Sequence, residues 1–402
     1  MGDAHEPLGH ESSPMSVVFV NCTAETFTPT RSGAICTWLW ELCRAAQRQD
    51  ARQDARRDGL PWVITKTSPA APYDWPNTIF VDYPHIPKNR LLSKLWYLHR
   101  DLTGWGHVRQ KRYNLRVAAA IRRAGLQDRP LLLNNDIELA VYLRRRFPRS
   151  FILHLAHNDN PCRPKFRRQF KDSVNAAAAV SDHCGQWNLD YFGLDEISTL
   201  YAGVDLDRFT PAPERPPGPP LINFVGRTDN AKAPDLLLHA AMLLAQKTKD
   251  FRLQILGSNH YGWSEPDDYQ RRLQALAAQL EADGIPVRLP GFVDRYALPD
   301  ELRKAHINVV PSRWPEPFGL VTPEGMACGL ATVGSRTGGT PEIIADAGFL
   351  FERDDVDALA GHLERLVCDE PLRAEYGRRA RKRAEWFTWD RTWTQLRALM
   401  GA

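Results

Sequence analysis

The sequence predicts an α/β protein made of two doubly wound units that face a shared cleft. Short β-rich runs alternate with longer helical segments from residue 16 onward. A segment with six prolines in ten residues, PAPERPPGPP at 211–220, interrupts the alternation, which then restarts. Strands that alternate with helices imply parallel sheets covered on both faces. Proline fixes φ and removes a donor, so 211–220 can extend neither a sheet nor a helix and reads as a stiff connector. Folds of this kind bind ligands beyond the carboxyl ends of their strands.

In the first unit, SVVFVN (16–21) reads as a strand and 33–47 as the helix after it. WVIT (62–65), TIFVD (78–82), PLLLNN (130–135), FILHLA (151–156), AAAAV (176–180) and ISTLY (197–201) are further strands. Helices are predicted at 88–102, 109–124, 137–147, 163–173 and 182–192. After the connector come LINFVG (221–226), a helix at 234–247, FRLQILG (251–257), a helix at 267–282 and VRL (287–289). Short strand–helix pairs then run through FLF (349–351), and three helices complete the chain. The domain plan is a disordered tail at 1–14, an N-terminal unit at 15–210, the linker at 211–220 and a C-terminal unit at 221–385. The last helix, in 386–402, packs back on the first unit.

Composition excludes several classes. The chain has 402 residues, 43% hydrophobic and 25% charged, which is ordinary for a globular protein and rules out disordered or collagen-like chains. No apolar run approaches the roughly 18 residues of a spanning helix. The start, MGDAHEPLGHESSP, has no basic, apolar signal pattern, and Glu6 stands where myristoylation wants Ser or Thr, so a cytoplasmic location is expected. Seven cysteines without a C-x-x-C pair suggest neither disulfides nor a zinc site, and Cys36 and Cys43 read as small core residues. RQDARQDARRDG (48–59) reads as a solvated helical extension. Residues 1–210 hold 28 Lys/Arg against 22 Asp/Glu, so the first unit favours an anionic partner.

The chemistry concentrates in five segments. In SRWPEPFGLVTPEGMACG (312–329), INVVP (307–311) is the strand before, and Gly319 is predicted to open a helix. The amides of Phe318, Gly319, Leu320 and Val321 would then be unpaired donors suited to a phosphate, with Glu316 and Glu324 on either side as acceptors for hydroxyls. In FVGRTDNAK (224–232), Arg227 ends a strand and Lys232 precedes a helix, a fork and a point charge converging on a diphosphate. SRTGGTPEII (335–344) offers Gly338-Gly339 as a second close-approach loop with Glu342 in the following turn. TPTRSGAICTW (28–38) is a loop with Gly33 opening the first helix and presenting backbone donors to a ligand. His157, just past the 151–156 strand, sits where a cleft residue would, with His154 in the strand itself.

Taken together these segments resemble a retaining family-4 glycosyltransferase (glycosyl transferases group 1) of the GT-B fold, two Rossmann-like domains around a cleft. Glu316 and Glu324 match that family's Glu-x7-Glu signature. Arg227 and Lys232 match its donor-diphosphate pair, and SRTGGTPEII matches its glycine loop. AVSDHCGQW (179–187) and YAGVDLDRF (201–209) match recurring first-domain segments, and His157 matches a donor-sugar histidine. The resemblance implies that Glu324 holds ribose hydroxyls and Glu316 the transferred sugar. It also implies that Arg227, Lys232 and the 319–321 amides stabilise the leaving diphosphate and that His157 positions the sugar. No cofactor or metal is expected, the nucleotide-diphosphate sugar being the donor substrate. Asp205-Leu206-Asp207 spells the D-x-D of metal-dependent transferases by coincidence of position.

The stretch 87–116 is basic and aromatic, with Leu91, Leu92, Leu95, Trp96 and Leu102 able to share a helical face. RRRFPR (144–149) and CRPKFRR (162–168) add charge. These suggest a saccharide or lipid-linked acceptor in polysaccharide or lipopolysaccharide synthesis, with peripheral contact to an anionic membrane. No RNA-binding motif is present, so no nucleic-acid partner is expected. The alternatives are another GT-B activity, such as a nucleotide-sugar epimerase or disaccharide synthase, or a non-catalytic sugar-nucleotide binder.

Overall fold

The computed structural model describes residues 16–29, 33–52, 59–68, 70–83, 105–259 and 266–401. The predicted tail at 1–14, the helix at 88–102 and residues 53–58 of the charged repeat lie outside the described residues. Two all-parallel sheets form, as the alternation requires. The first contains β1 (Val18–Val20), β2 (Trp62–Lys66), β3 (Thr78–Val81), β4 (Leu131–Asn134), β5 (Ile152–Ala156), β6 (Ala176–Ala179) and β7 (Ser198–Thr199), in the order β3-β2-β1-β4-β5-β6-β7. The second contains β8 (Leu221–Val225), β9 (Arg252–Leu256), β10 (Val287–Gly291), β11 (Ile307–Val310), β12 (Ala331–Ser335) and β13 (Phe349–Phe351), ordered β10-β9-β8-β11-β12-β13. In each sheet the order reverses beside the first strand, between β1 and β4 and between β8 and β11. A ligand crevice opens at such a switch point.

Strands buried on both faces read as apolar runs, and Leu131–Asn134, Ile152–Ala156 and Ala331–Ser335 are buried throughout. The predicted strand 197–201 shortens to Ser198–Thr199. It is an edge strand, where pairing is available on one side alone.

The first unit's helices are α1 (Ala34–Arg52), α2 (Trp105–Arg123), α3 (Ile137–Arg146), α4 (Pro164–Phe170) and α5 (Asp182–Phe192). Local chemistry sets their ends. Asp136 caps α3 by accepting from the Leu139 amide at 2.9 Å, Ser181 caps α5 through the Cys184 amide, and Gly193 closes α5 in the left-handed region. The second unit carries α6 (Pro234–Ala245), α7 (Asp268–Ala282), α8 (Leu298–Arg303), α9 (Val321–Ala327), α10 (Thr340–Ile344), α11 (Val356–Cys368) and α12 (Glu370–Ala384). Asp267 and Gln270 form a reciprocal capping box at α7.

The last helix, α13 (Trp389–Met400), lies against α1. Trp393 meets Phe19 of β1 edge-on at 6.2 Å, Trp389 meets Trp38, and Arg48 pairs with Asp390 at 2.8 Å. The chain crosses at a parallel bridge between Val204 and Thr388. A β-carbon on Gly203 would stand 2.2 Å from the Trp389 amide nitrogen, so the glycine of the GVD segment is what lets the strands touch. The proline-rich connector is tied down by Arg215, which donates to Ala305 O at 2.7 Å and Gly329 O at 2.8 Å. Among the described residues no helix is long and apolar enough to cross a membrane.

Candidate active site

A cleft of about 720 Å³ lies between the two units. Glu25, Gly33, Trp38, His157 and Asn158 form one wall, and Arg227, Lys232, Arg295, Glu316 and Phe318–Val321 form the other. The structure therefore brings Gly33, His157, Arg227, Lys232, Glu316, Phe318, Gly319, Leu320 and Val321 to one space. Glu324 stands one layer back. It is 1% exposed, its Oε1 is held by Arg295, and its Oε2 is buried without a hydrogen-bond partner among the described residues.

Each of the two cations is paired with a carboxylate. Arg227 pairs with Asp229 at 3.1 Å and keeps more than half of its side chain exposed, whereas Lys232 is bonded to Glu316 Oε1, which also accepts from Ser312 Oγ at 2.6 Å. The physical reason is that a partly desolvated cation is costly unless a carboxylate lies beside it. Arg313, which the sequence did not single out, locks the two loops together. Its Nη2 pairs with Asp235 at 2.8 Å, while the amides of Arg313 and Trp314 donate to Ala231 O at 2.9 and 3.0 Å.

Gly319 does not open the helix. Its φ is +79°, and α9 begins at Val321 with Leu320 as its cap, so the helix starts two residues later than the sequence implied. The amides of Phe318 to Val321 nevertheless line the cleft and have no acceptor among the described residues.

Gly338 and Gly339 are not a ligand cradle. A β-carbon at Gly338 would lie 2.2 Å from Glu316 O, and the Gly339 amide donates to Glu316 O at 2.7 Å. The pair braces the Glu316 loop from behind. Glu342 reaches across to the first unit, accepting from the Asp182 and His183 amides at 2.8 Å each and from the Tyr201 hydroxyl at 3.0 Å. It supplies the acid that the start of α5 lacks a second of and couples the two units.

His157 is 8% exposed, and its Nε2 lies 2.8 Å from Asn134 Oδ1. Asn134 Nδ2 donates to Val20 O, so the Asn oxygen faces the ring and Nε2 carries the proton. Burial pushes the imidazole pKa down to about 3, so His157 is a neutral hydrogen-bonding group there. Trp38 meets it edge-on at 5.4 Å. His154 packs edge-on against Phe170 with neither nitrogen partnered among the described residues, a packed core group.

The Gly33 loop holds another departure. Glu25, a residue with no signal in the sequence, puts its carboxylate at the start of α1, and its Oε2 accepts from the Cys36 amide at 2.8 Å. The donors expected there for a ligand are taken by the chain itself. Asp205 of the D-x-D is a turn former, accepting from the Asp207 and Arg208 amides at 3.2 Å each and pairing with Arg44.

Residues 207–383 match the family model described as glycosyl transferases group 1. That match takes in the second sheet, the cleft residues Arg227, Lys232 and Glu316, and Glu324 behind them. A D-inositol 3-phosphate glycosyltransferase of Nocardiopsis dassonvillei is 32% identical over 264 residues, 60% of either chain. The chain thus spans about 60% of the length of that curated relative. Sucrose-phosphate synthase from Thermosynechococcus elongatus superposes with a TM-score of 0.70 at 20% identity, covering 96% of this chain and 98% of that one. Anabaena Alr3699/HepE, solved in complex with UDP, gives 0.66 at 17% identity over 96% and 100%. These likenesses show the fold, which is GT-B.

Proposed function

We propose that the protein is a metal-independent, retaining glycosyltransferase that moves a hexose-type sugar from a nucleotide-diphosphate sugar to a saccharide or lipid-linked acceptor. One observation carries this: Arg227, Lys232 and residues 318–321, whose amides have no acceptor among the described residues, line one cleft, near a buried glutamate with an oxygen that has no partner among those residues. A buried unpaired carboxylate oxygen is costly unless a partner arrives, and a ribose hydroxyl is a fitting donor for Glu324. That contact requires Arg295 to yield or share Glu324. A cavity of about 290 Å³ beside Thr228, Ser258 and Gly291 has room for a base.

Bond breaking at the anomeric carbon puts charge on the diphosphate. Arg227, Lys232 and the 318–321 amides stabilise that charge where it develops. As the diphosphate takes Lys232, Glu316 is released to accept hydroxyls of the sugar. Neutral His157 holds the sugar by hydrogen bonding, without delivering a proton. Retention follows from acceptor attack on the face the diphosphate leaves. The exposed cations Arg145, Arg146, Arg149, Lys165 and Arg168 support peripheral contact with an anionic membrane, with lipid-linked saccharides of cell-surface polysaccharide or lipopolysaccharide synthesis as acceptors.

The test is release of nucleoside diphosphate from UDP-, GDP- and ADP-sugars with EDTA present, alongside a thermal-shift screen of the same donors. One donor should stabilise the protein and turn over. Strict dependence on added divalent metal overturns the leaving-group mechanism, and no donor binding overturns the function.

A further inference from the structure

The two walls of the cleft differ in charge. The donor side presents three cations, Arg227, Lys232 and Arg295, and one acid, Glu316. Opposite them, among the described residues, the first unit's wall carries one charged side chain, and it is an acid, Glu25. His157 adds no charge, since burial keeps its ring neutral. The carboxylate seat is built into the chain. A β-carbon on residue 33 would stand 2.1 Å from Glu25 Oε1, so glycine there is what admits the carboxylate, and the Cys36 amide fixes its other oxygen at 2.8 Å. Burial raises the Glu25 carboxyl above its ordinary pKa, and nearby Lys66, whose Nζ also donates to Thr23 O at 2.6 Å, draws it back down. An incoming anion therefore meets a helix start whose Cys36 amide is already taken by a carboxylate.

We propose that Glu25 sets the charge of the acceptor: the sugar is passed to an uncharged polyol ring whose hydroxyl can donate to Glu25, and a ring bearing a phosphate at that wall is rejected. This rests on the glycosyltransferase reading above. Its geometric basis is that an acceptor hydroxyl must reach the anomeric carbon between the walls, so the ring that carries it lies against the first unit. A neutral hydroxyl gains a charge-assisted hydrogen bond there. A phosphate monoester gains repulsion and loses its water, and discrimination by such a repulsive element needs no additional contact. The charge preference is opposite to the anionic acceptor that the basic composition of the first unit suggests. The basic side chains sit on the outside of α3 and α4, not in the cleft.

The test uses the full chain, a donor shown to bind, and matched acceptor pairs: myo-inositol with D-inositol 3-phosphate, and glucose with glucose 6-phosphate. The readout is kcat/KM for nucleoside-diphosphate release above the acceptor-free rate. The uncharged member of a pair should be favoured by about tenfold or more, the scale of like charges a few ångströms apart in a half-wet cleft. Glu25→Gln should narrow that ratio and Glu25→Asp should keep it. Preference for the phosphorylated member, stimulation by neither member of either pair, an unchanged ratio in Glu25→Gln, or an equal narrowing in both variants overturns the proposal. Failure of the parent reading shows differently, as absence of donor binding and turnover in the wild-type chain.

Discussion

Gly338→Ala separates two roles that a Gly-Gly pair beside a cleft can have. The φ of Gly338 is +56°, and the added β-carbon would lie 2.2 Å from Glu316 O and 2.4 Å from Glu316 N. Placing alanine in the left-handed region costs about 1–2 kcal/mol. Relieving the overlap means pushing the 315–317 backbone away by roughly 1 Å, at the usual overpacking cost of about 1–3 kcal/mol. With about 2–4 °C lost per kcal/mol in a unit of 150–250 residues, melting of the ligand-free protein should fall by roughly 5–15 °C. The same shift carries Glu316, and with it Lys232, off position, so kcat/KM should drop on the order of 10²-fold. Differential scanning fluorimetry without ligand and nucleoside-diphosphate release read the two effects. A variant that melts like the parent while donor affinity alone collapses would mean that the glycine makes room for a ligand, and would refute the bracing role.

Arg227→Ala should lower turnover by about 10²-fold or more, the scale of one preorganised oxyanion donor, with little change in melting because its pair with Asp229 is largely exposed. Burial pushes His154 down to about 3, below its ordinary value of 6.5, so the folded state resists a proton that the unfolded chain takes up. Stability is then full above about pH 6.5 and declines as pH falls toward 3. His154→Leu should flatten that acid limb by up to about 1.4 kcal/mol per pH unit in urea melts at pH 7.5 and 5. The activity profile should show no limb near pH 6–7 from His157, whose ring is held neutral in the same way. Trp393→Ala, which empties the space against Phe19, should cost about 3–5 kcal/mol in urea unfolding, a measure of how firmly the terminal helix is docked on the first sheet.

The sequence by itself determined the α/β alternation, both parallel sheets and most strand and helix limits, because those follow from local periodicity and from punctuation by proline, glycine and caps. Residues 182–192 and 349–351, for instance, fold as elements with the predicted bounds. It also put Arg227, Lys232, Glu316 and the 318–321 backbone into one segment-level picture, since each sits at a strand-to-helix switch that faces the cleft. Tertiary structure alone decided who pairs with whom. Lys232 meets Glu316 across 84 residues, Glu342 caps a helix of the other unit, Gly338 presses on a loop 22 positions earlier, and Arg295 covers Glu324. Glu25 shows the limit most clearly. Nothing in its neighbours marks an acid between a strand and a helix, and its place at the Cys36 amide exists because the residue at 33 has no side chain to fill that space. Local pattern reports where a chain turns, whereas contacts between distant segments depend on how loops, helices and sheets pack in three dimensions.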